Sequence, residues 1–323
     1  MRVKKVEKFH PTEWLMRVSA FAGILAIIFI FIFIFMKAAP VFAGSGLKLI
    51  TGSGFDSQIA EAFDAPADAP LLSFGMSGLI AGTLLSTLLA LVIAGILSVG
   101  AAITICELAP KPVAAMLLSV VRLMASIPSV VFGLIGAMIV VPFLENTFIT
   151  VDMQIEFLAF FQMTGRNLLA SVIVLAFMIA PTVITLSADA LYSVPGIYKE
   201  TGYAFGMSRF RVIQKILLPA ARSGIIAGLI LGAGRGIGEA IAVSMVCGGV
   251  GMIPSLSHGI AAIFTPVLPL AAAIVNKSEA MSVPAVESAL FACGALLLLM
   301  GTLFALAARF YVKQFTYGGI HEV

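Results

Sequence analysis

Charged residues are scarce in this sequence: Asp, Glu, Lys and Arg make up 11% of its 323 positions, while 61% are hydrophobic. A soluble domain carries roughly 25% charged residues, because its surface faces water. A chain with less than half that share presents its outside to lipid, which excludes a soluble globular protein and a disordered one alike. The net charge is only +3 and the basic residues are scattered, so a strip of phosphate-backbone contacts, and with it a nucleic-acid partner, is excluded. Cysteine is equally sparse. Cys106, Cys247 and Cys293 stand far apart with no CxxC pair, which argues against a disulfide framework or a zinc site and leaves them as small apolar fillers. His10, His258 and His321 are too dispersed for a ligand set, and there is no HExxH. No Gly-Lys pair occurs anywhere, so the chain has no P-loop and no nucleotide cofactor of its own.

What the sequence has in quantity is apolar runs of about 20 residues, which in a bilayer fold as helices because the backbone must satisfy its own hydrogen bonds. Six are counted, near 18–36, 77–105, 114–142, 167–187, 223–246 and 288–310. The expected fold class is therefore an all-α membrane protein with six transmembrane helices. The first run is followed by VFAG at 41–44, a sequence compatible with signal-peptidase cleavage, but the run is longer than a signal h-region and is read as an uncleaved anchor. Loop Lys and Arg set orientation. Thirteen fall on one side: Arg2, Lys4, Lys5, Lys8, Arg17, Lys111, the five between 188 and 222, Arg309 and Lys313. Only Lys37, Lys48, Arg166 and Lys277 fall on the other, beside nine acids. Both termini are expected inside.

The organisation that follows is an N-terminus and first span over 1–36, an outer loop over 37–76, and a five-span core over 77–323. The outer loop, acidic and rich in Ala, Pro and Gly, reads as a solvated connector without a core of its own, or alternatively as a docking surface for an external protein. Pro254, Pro266 and Pro269 cut the apolar stretch 248–287 into pieces too short to cross, so re-entrant or interfacial half-helices are expected there. On the inside, 188–222 is the longest polar stretch, with Tyr203, Phe205 and Phe210 set among charges. Such a face either meets a partner or lies on lipid headgroups.

Two charges fall within the fifth run. With Gly224 at the origin of a helical wheel, Gly228, Gly232 and Gly236 drift by about 40° each, and Arg235 and Glu239 land on the same face. Small residues let helices approach, so the charges should point into the protein or a water-filled cavity. Glu239, one turn on, is the natural partner of Arg235. The pair is either a structural lock or an anion site, in which the guanidinium presents a fork of donors to phosphate oxygens and Glu239 holds it until substrate competes.

Glu200, Gly206 six residues on, Ile216 ten further and then Leu218-Pro219 match the spacing of the EAA loop of binding-protein-dependent ABC importer permeases. The departure is Glu-Thr-Gly at 200–202 in place of Glu-Ala-Ala. The run LPAARSGIIAGLILGAGRGIGEAIAV at 218–243 resembles the fifth span of the phosphate-specific, Pst-type permeases, with Arg235 and Glu239 on that motif's Arg and Glu and Ala240-Ile241 in place of its Thr-Met. GTLLSTLLAL at 82–91, GAAITICELAPK at 100–111, IPSVVFGL at 127–134 and ESALFACGALLLL at 287–299 extend the resemblance, nearer the C-type subunit than the A-type.

The resemblance implies a type I ABC importer permease fold in the bacterial inner membrane and a coupling helix within 188–222 that docks on a separate ATPase, which binds ATP-Mg. It further implies a second, A-type permease subunit and an extracytoplasmic phosphate-binding protein. The substrate would be inorganic phosphate, with sulfate or phosphonate as related oxyanions. A proton-coupled anion transporter using Glu239 is the alternative; it gives no reason for the loop spacing. Where the family commonly has an acid six residues before Pro128, this chain has Arg122. That residue either snorkels to the headgroups, adds a positive charge to the anion path, or pairs with an acid from a partner subunit.

Overall fold

The computed structural model describes residues 11–66 and 70–316. Arg2, Lys4, Lys5, Lys8, Asp68, His10 and His321 lie outside them. Six helices are long and apolar enough to cross a membrane: Trp14–Ser45, Ser77–Leu108, Ser129–Phe148, Leu168–Tyr192, Arg209–Ile237 and Pro284–Phe310. No strand forms among the described residues.

The fourth span is the axis of the packing. It is the most buried of the six and lies against the second and the fifth. Asn167 starts it: the buried side chain accepts from Ala170 N–H at 3.0 Å, satisfying one of the orphan donors at a helix N-terminus. The first span is apolar and exposed over most of its length, as a helix facing lipid must be, and only its last turns, with Ala38, Val41 and Ser45, are buried. Among the described residues its most extensive contact is with the last span, joined by Phe33 edge-on to Phe291 at 5.7 Å and by a Lys37–Glu287 ion pair at 2.8 Å.

Two spans differ from the sequence reading. The run 114–142 is not one helix. An amphipathic segment, Lys111–Ala125, stops at Ser126, and the membrane helix begins only at Ser129. Pro128 supplies no N–H and drives Ile127 away from helical backbone, so the break falls where the chemistry requires it. The fifth helix begins earlier than expected, at Arg209, and ends earlier, at Ile237. A π-turn over Ile213–Leu217 lets it continue into Pro219, which cannot donate to the preceding turn. At its far end Gly234, Gly236 and Gly238 weaken the helix, and the ladder stops at Gly238.

The segment before the second span also departs from expectation. The solvated connector over 37–76 is replaced by structure: the first helix runs on to Ser45, and a short helix, Phe55–Asp64, buries Phe55, Ile59 and Ala62. Their spacing makes one apolar face, which the loop's Ala, Pro and Gly content obscures. Phe55 packs on buried Phe74 at 6.1 Å, and Asp56 ties the helix to the 248–287 segment through Lys277 at 2.7 Å and Gly251 N–H at 2.8 Å. That segment consists of short pieces, with the helix Leu270–Asn276 inserted so that Leu270 to Ala273 are buried. Thr83 of the second span holds it, its hydroxyl accepting from Leu270 N–H at 2.9 Å, while Gly82 leaves room for Leu268 and Pro269.

Candidate functional site

The glycine stripe of the fifth helix lies along the fourth span. A Cβ on Gly224 would come 2.5 Å from Ala190, one on Gly228 3.0 Å from Leu186, one on Gly232 2.7 Å from Ile179, and one on Gly236 3.0 Å from the same isoleucine. No side chain fits at these positions without moving the neighbouring helix.

This contact brings Arg235, in the last turn of the fifth helix, beside Thr182: guanidinium Nη1 donates to the threonine hydroxyl at 3.3 Å. The arginine is half-buried and lines a recess of about 510 Å³, walled by Leu231 and Gly234 of its own helix, Thr182 of the fourth and Gly301 and Phe304 of the last. The carbonyl end of a helix favours a cation there.

The expected pair of Arg235 with Glu239 does not form. No ion pair joins them, because the helix ends at Ile237 and carries Glu239 into the break beyond it. Glu239 instead accepts from Ala242 N–H at 2.9 Å and caps the four-residue helix Ile241–Ser244. Arg235 is thus held by a neutral hydroxyl rather than by a carboxylate, and no ion pair compensates its charge among the described residues.

Arg122 is not inside a span. It sits in the last turn of the amphipathic segment and reaches Asp189 at 3.5 Å, both side chains more than half exposed. The acid that accompanies this arginine comes from the fourth span of the same chain. An apolar crevice of about 340 Å³ separates the amphipathic segment from the second and fourth spans, with Met124, Leu97 and Phe177 on its walls.

At the coupling segment, the helix Gly196–Ala204 carries Glu200 on its exposed side, with Ile197, Tyr198, Tyr203 and Phe205 also bare. Gly206 takes φ 73°, a left-handed turn that suits glycine, and Met207 N–H closes it on Gly202 O at 3.1 Å. Gly202 is buried against Ile216, whose Cδ1 would lie 2.6 Å from an added Cβ. Glycine at 202 therefore seats the coupling helix closer to the fifth span than alanine would.

One link escaped the sequence reading. Lys199, on the coupling helix, pairs with Glu107 at 2.5 Å, and the Glu107 side chain is 8% exposed. Glu107 stands in the π-turn that ends the second span, immediately before the amphipathic segment. The pair thus joins the coupling helix to the end of the second span.

A six-span bundle with an aromatic-faced helix on one end and a half-buried arginine lining a recess has the architecture of a multi-pass membrane protein. The chain belongs to the family of binding-protein-dependent transport system inner membrane components, whose profile matches residues 105–317. A probable ABC transporter permease protein, YqgH of Bacillus subtilis, is 35% identical over 237 residues, covering 73% of this chain and 71% of that protein. The phosphate transport system permease protein PstC of Mesorhizobium japonicum is 30% identical over 288 residues, 86% of this chain and 84% of the relative. PstC 1 of Mycobacterium bovis is 31% identical over 332 residues, 97% and 96% respectively. The Pst-type, C-type resemblance read from the sequence is borne out by these relatives.

Among solved structures, a bacterial alginate ABC transporter in complex with an alginate pentasaccharide-bound periplasmic protein aligns with a TM-score of 0.56 at 15% identity, over 96% of this chain and 98% of that one. The inward-facing MetNI methionine ABC transporter aligns at 0.52 and 16%, over 72% and 93%. At such identities the likeness is one of fold, the type I ABC importer permease.

Proposed function

We propose that this ABC importer permease subunit carries inorganic phosphate across the bacterial inner membrane by alternating access, with Arg235 as an anion contact on the path. The observation that carries the reading is the environment of Arg235: a half-buried guanidinium in the last turn of the fifth helix, hydrogen-bonded to Thr182, without an ion-pair partner among the described residues, and open to a recess of about 510 Å³. A charge within a span is costly and calls for a partner, and an oxyanion would satisfy both its charge and its planar fork of donors. The permease relatives named for phosphate transport support the choice of oxyanion.

In this reading the helix Gly196–Ala204 docks on a separate ATPase that binds ATP-Mg, a second A-type permease completes the pathway, and an extracytoplasmic binding protein delivers phosphate. The coupling segment and both termini face the cytoplasm. Glu239 is poorly placed as a proton carrier, since its carboxylate is engaged by a backbone N–H. The test is phosphate uptake by the reconstituted complex, driven by ATP and binding protein, compared between the parent and Arg235→Lys at equal assembled complex.

A further inference from the structure

At the end of the fourth span opposite the coupling segment, a second basic group sits in a recess. Of the basic residues on that face, Lys37 is paired with Glu287 and Lys277 with Asp56. Arg166 is exposed and has no carboxylate within ion-pair reach among the described residues. Lys48 also has no ion pair among the described residues, while Arg166 lines a recess of about 280 Å³ together with Gln162, Thr164, Gly248 and Val250.

The recess is built on fixed backbone. Next to Arg166, buried Asn167 donates to Thr164 O at 2.8 Å and accepts from Ala170 N–H, while Leu168 N–H donates to Thr265 O at 3.0 Å. On the opposite wall Gly248 and Gly249 take φ 91° and 74°. A Cβ on Gly248 would lie 2.8 Å from the Arg166 carbonyl oxygen, so glycine is what lets the two walls approach. No carboxylate lines the recess, whose remaining walls are the apolar Phe161, Met252 and Pro266. The positive end of the fourth helix adds to the field at Arg166.

We infer that this recess is an entry site for a tetrahedral oxyanion, which rests on Arg166 and the Gln162 amide before passing to Arg235. The inference depends on the anion-transport reading above. On a face where acids outnumber bases, an unpaired guanidinium in a recess is where an incoming anion would gather.

The test uses the complete complex in proteoliposomes. Phenylglyoxal applied from the side opposite the ATPase modifies Arg166, read as the mass-shifted peptide. Inorganic phosphate is expected to slow that modification at least fivefold, where sodium chloride of equal ionic strength does not. Equal slowing by both salts would reduce the effect to screening and overturn the site. In parallel, Arg166→Gln should raise the half-saturating concentration for uptake about tenfold with the maximal rate retained, and Arg166→Lys should recover part of it. Unchanged uptake kinetics in Arg166→Gln, with Arg235→Lys inactive, would remove the entry site and leave the transport reading standing. Normal uptake in both variants would remove the entry site and the anion-contact role of Arg235 together.

Discussion

Thr182 and Asp189 lie about two turns apart on one edge of the fourth span, and each holds an arginine brought from a different segment: Arg235 at 3.3 Å and Arg122 at 3.5 Å. The two cations are thereby set at successive levels along one helix, the inner one on a hydroxyl and the outer one on an exposed carboxylate. If the anion path proposed above follows this edge, Arg122 is the next cation below Arg235. Arg122→Ala should therefore slow uptake several-fold while leaving assembly unchanged, since an exposed ion pair contributes little to stability. Uptake and complex yield measured on the same membranes check both halves of that expectation.

Glu239 caps a helix rather than pairing with Arg235, which separates two substitutions. Glu239→Gln keeps an oxygen for Ala242 N–H and should melt close to the parent. Glu239→Ala removes the acceptor and should cost about 1 kcal/mol. Thermal stability of the purified complex distinguishes them, and equal melting of the two would contradict the capping role.

Lys199 and Glu107 form a pair with one nearly buried member. Lys199→Met leaves the carboxylate without its partner, a loss of at most about 3–5 kcal/mol, and replacing both partners with neutral residues should restore much of it. The expected order of stability is parent, then Lys199→Met with Glu107→Gln, then Lys199→Met alone. A double variant no better than the single one would show that the pair does not act as a unit.

Gly206 holds a left-handed turn. Gly206→Trp should strain it by about 1–2 kcal/mol and deform the helix that offers Glu200, leaving membrane insertion intact while ATP hydrolysis proceeds without matching uptake. Full coupling in this variant would remove the docking assignment.

Orientation is checked by single cysteines at Ser57 and Ser193, both exposed and at opposite ends of the bundle. Impermeant thiol reagents should label Ser57→Cys from outside and Ser193→Cys only from within.

Much of this architecture is legible in the sequence because a bilayer constrains it: apolar runs of a spanning length have few alternatives to helix. The glycine repeat at 224, 228, 232 and 236 predicts a close helix contact but not which helix meets it. The same glycines misled the reading of Glu239. Wheel geometry assumes that the helix continues, whereas a run with glycine at every second position is also a poor helix, and the termination at Gly238 prevailed. Pro128 was visible as a helix breaker, yet the hydrophobicity on either side of it hid the break. The Glu107–Lys199 link joins residues 92 positions apart, and no local pattern encodes such a pairing. Composition likewise concealed the helix Phe55–Asp64, whose three core residues are outnumbered by small and acidic ones.

The most direct test of the central claim is ATP-driven phosphate uptake by Arg235→Lys, normalised to complex assembled in the membrane. Lysine retains the positive charge and reaches Thr182, but it lacks the planar fork. The account predicts a fully assembled complex whose uptake falls at least tenfold. Assembled complex with uptake equal to the parent would show that Arg235 serves packing alone, and its role as the anion contact would have to be given up.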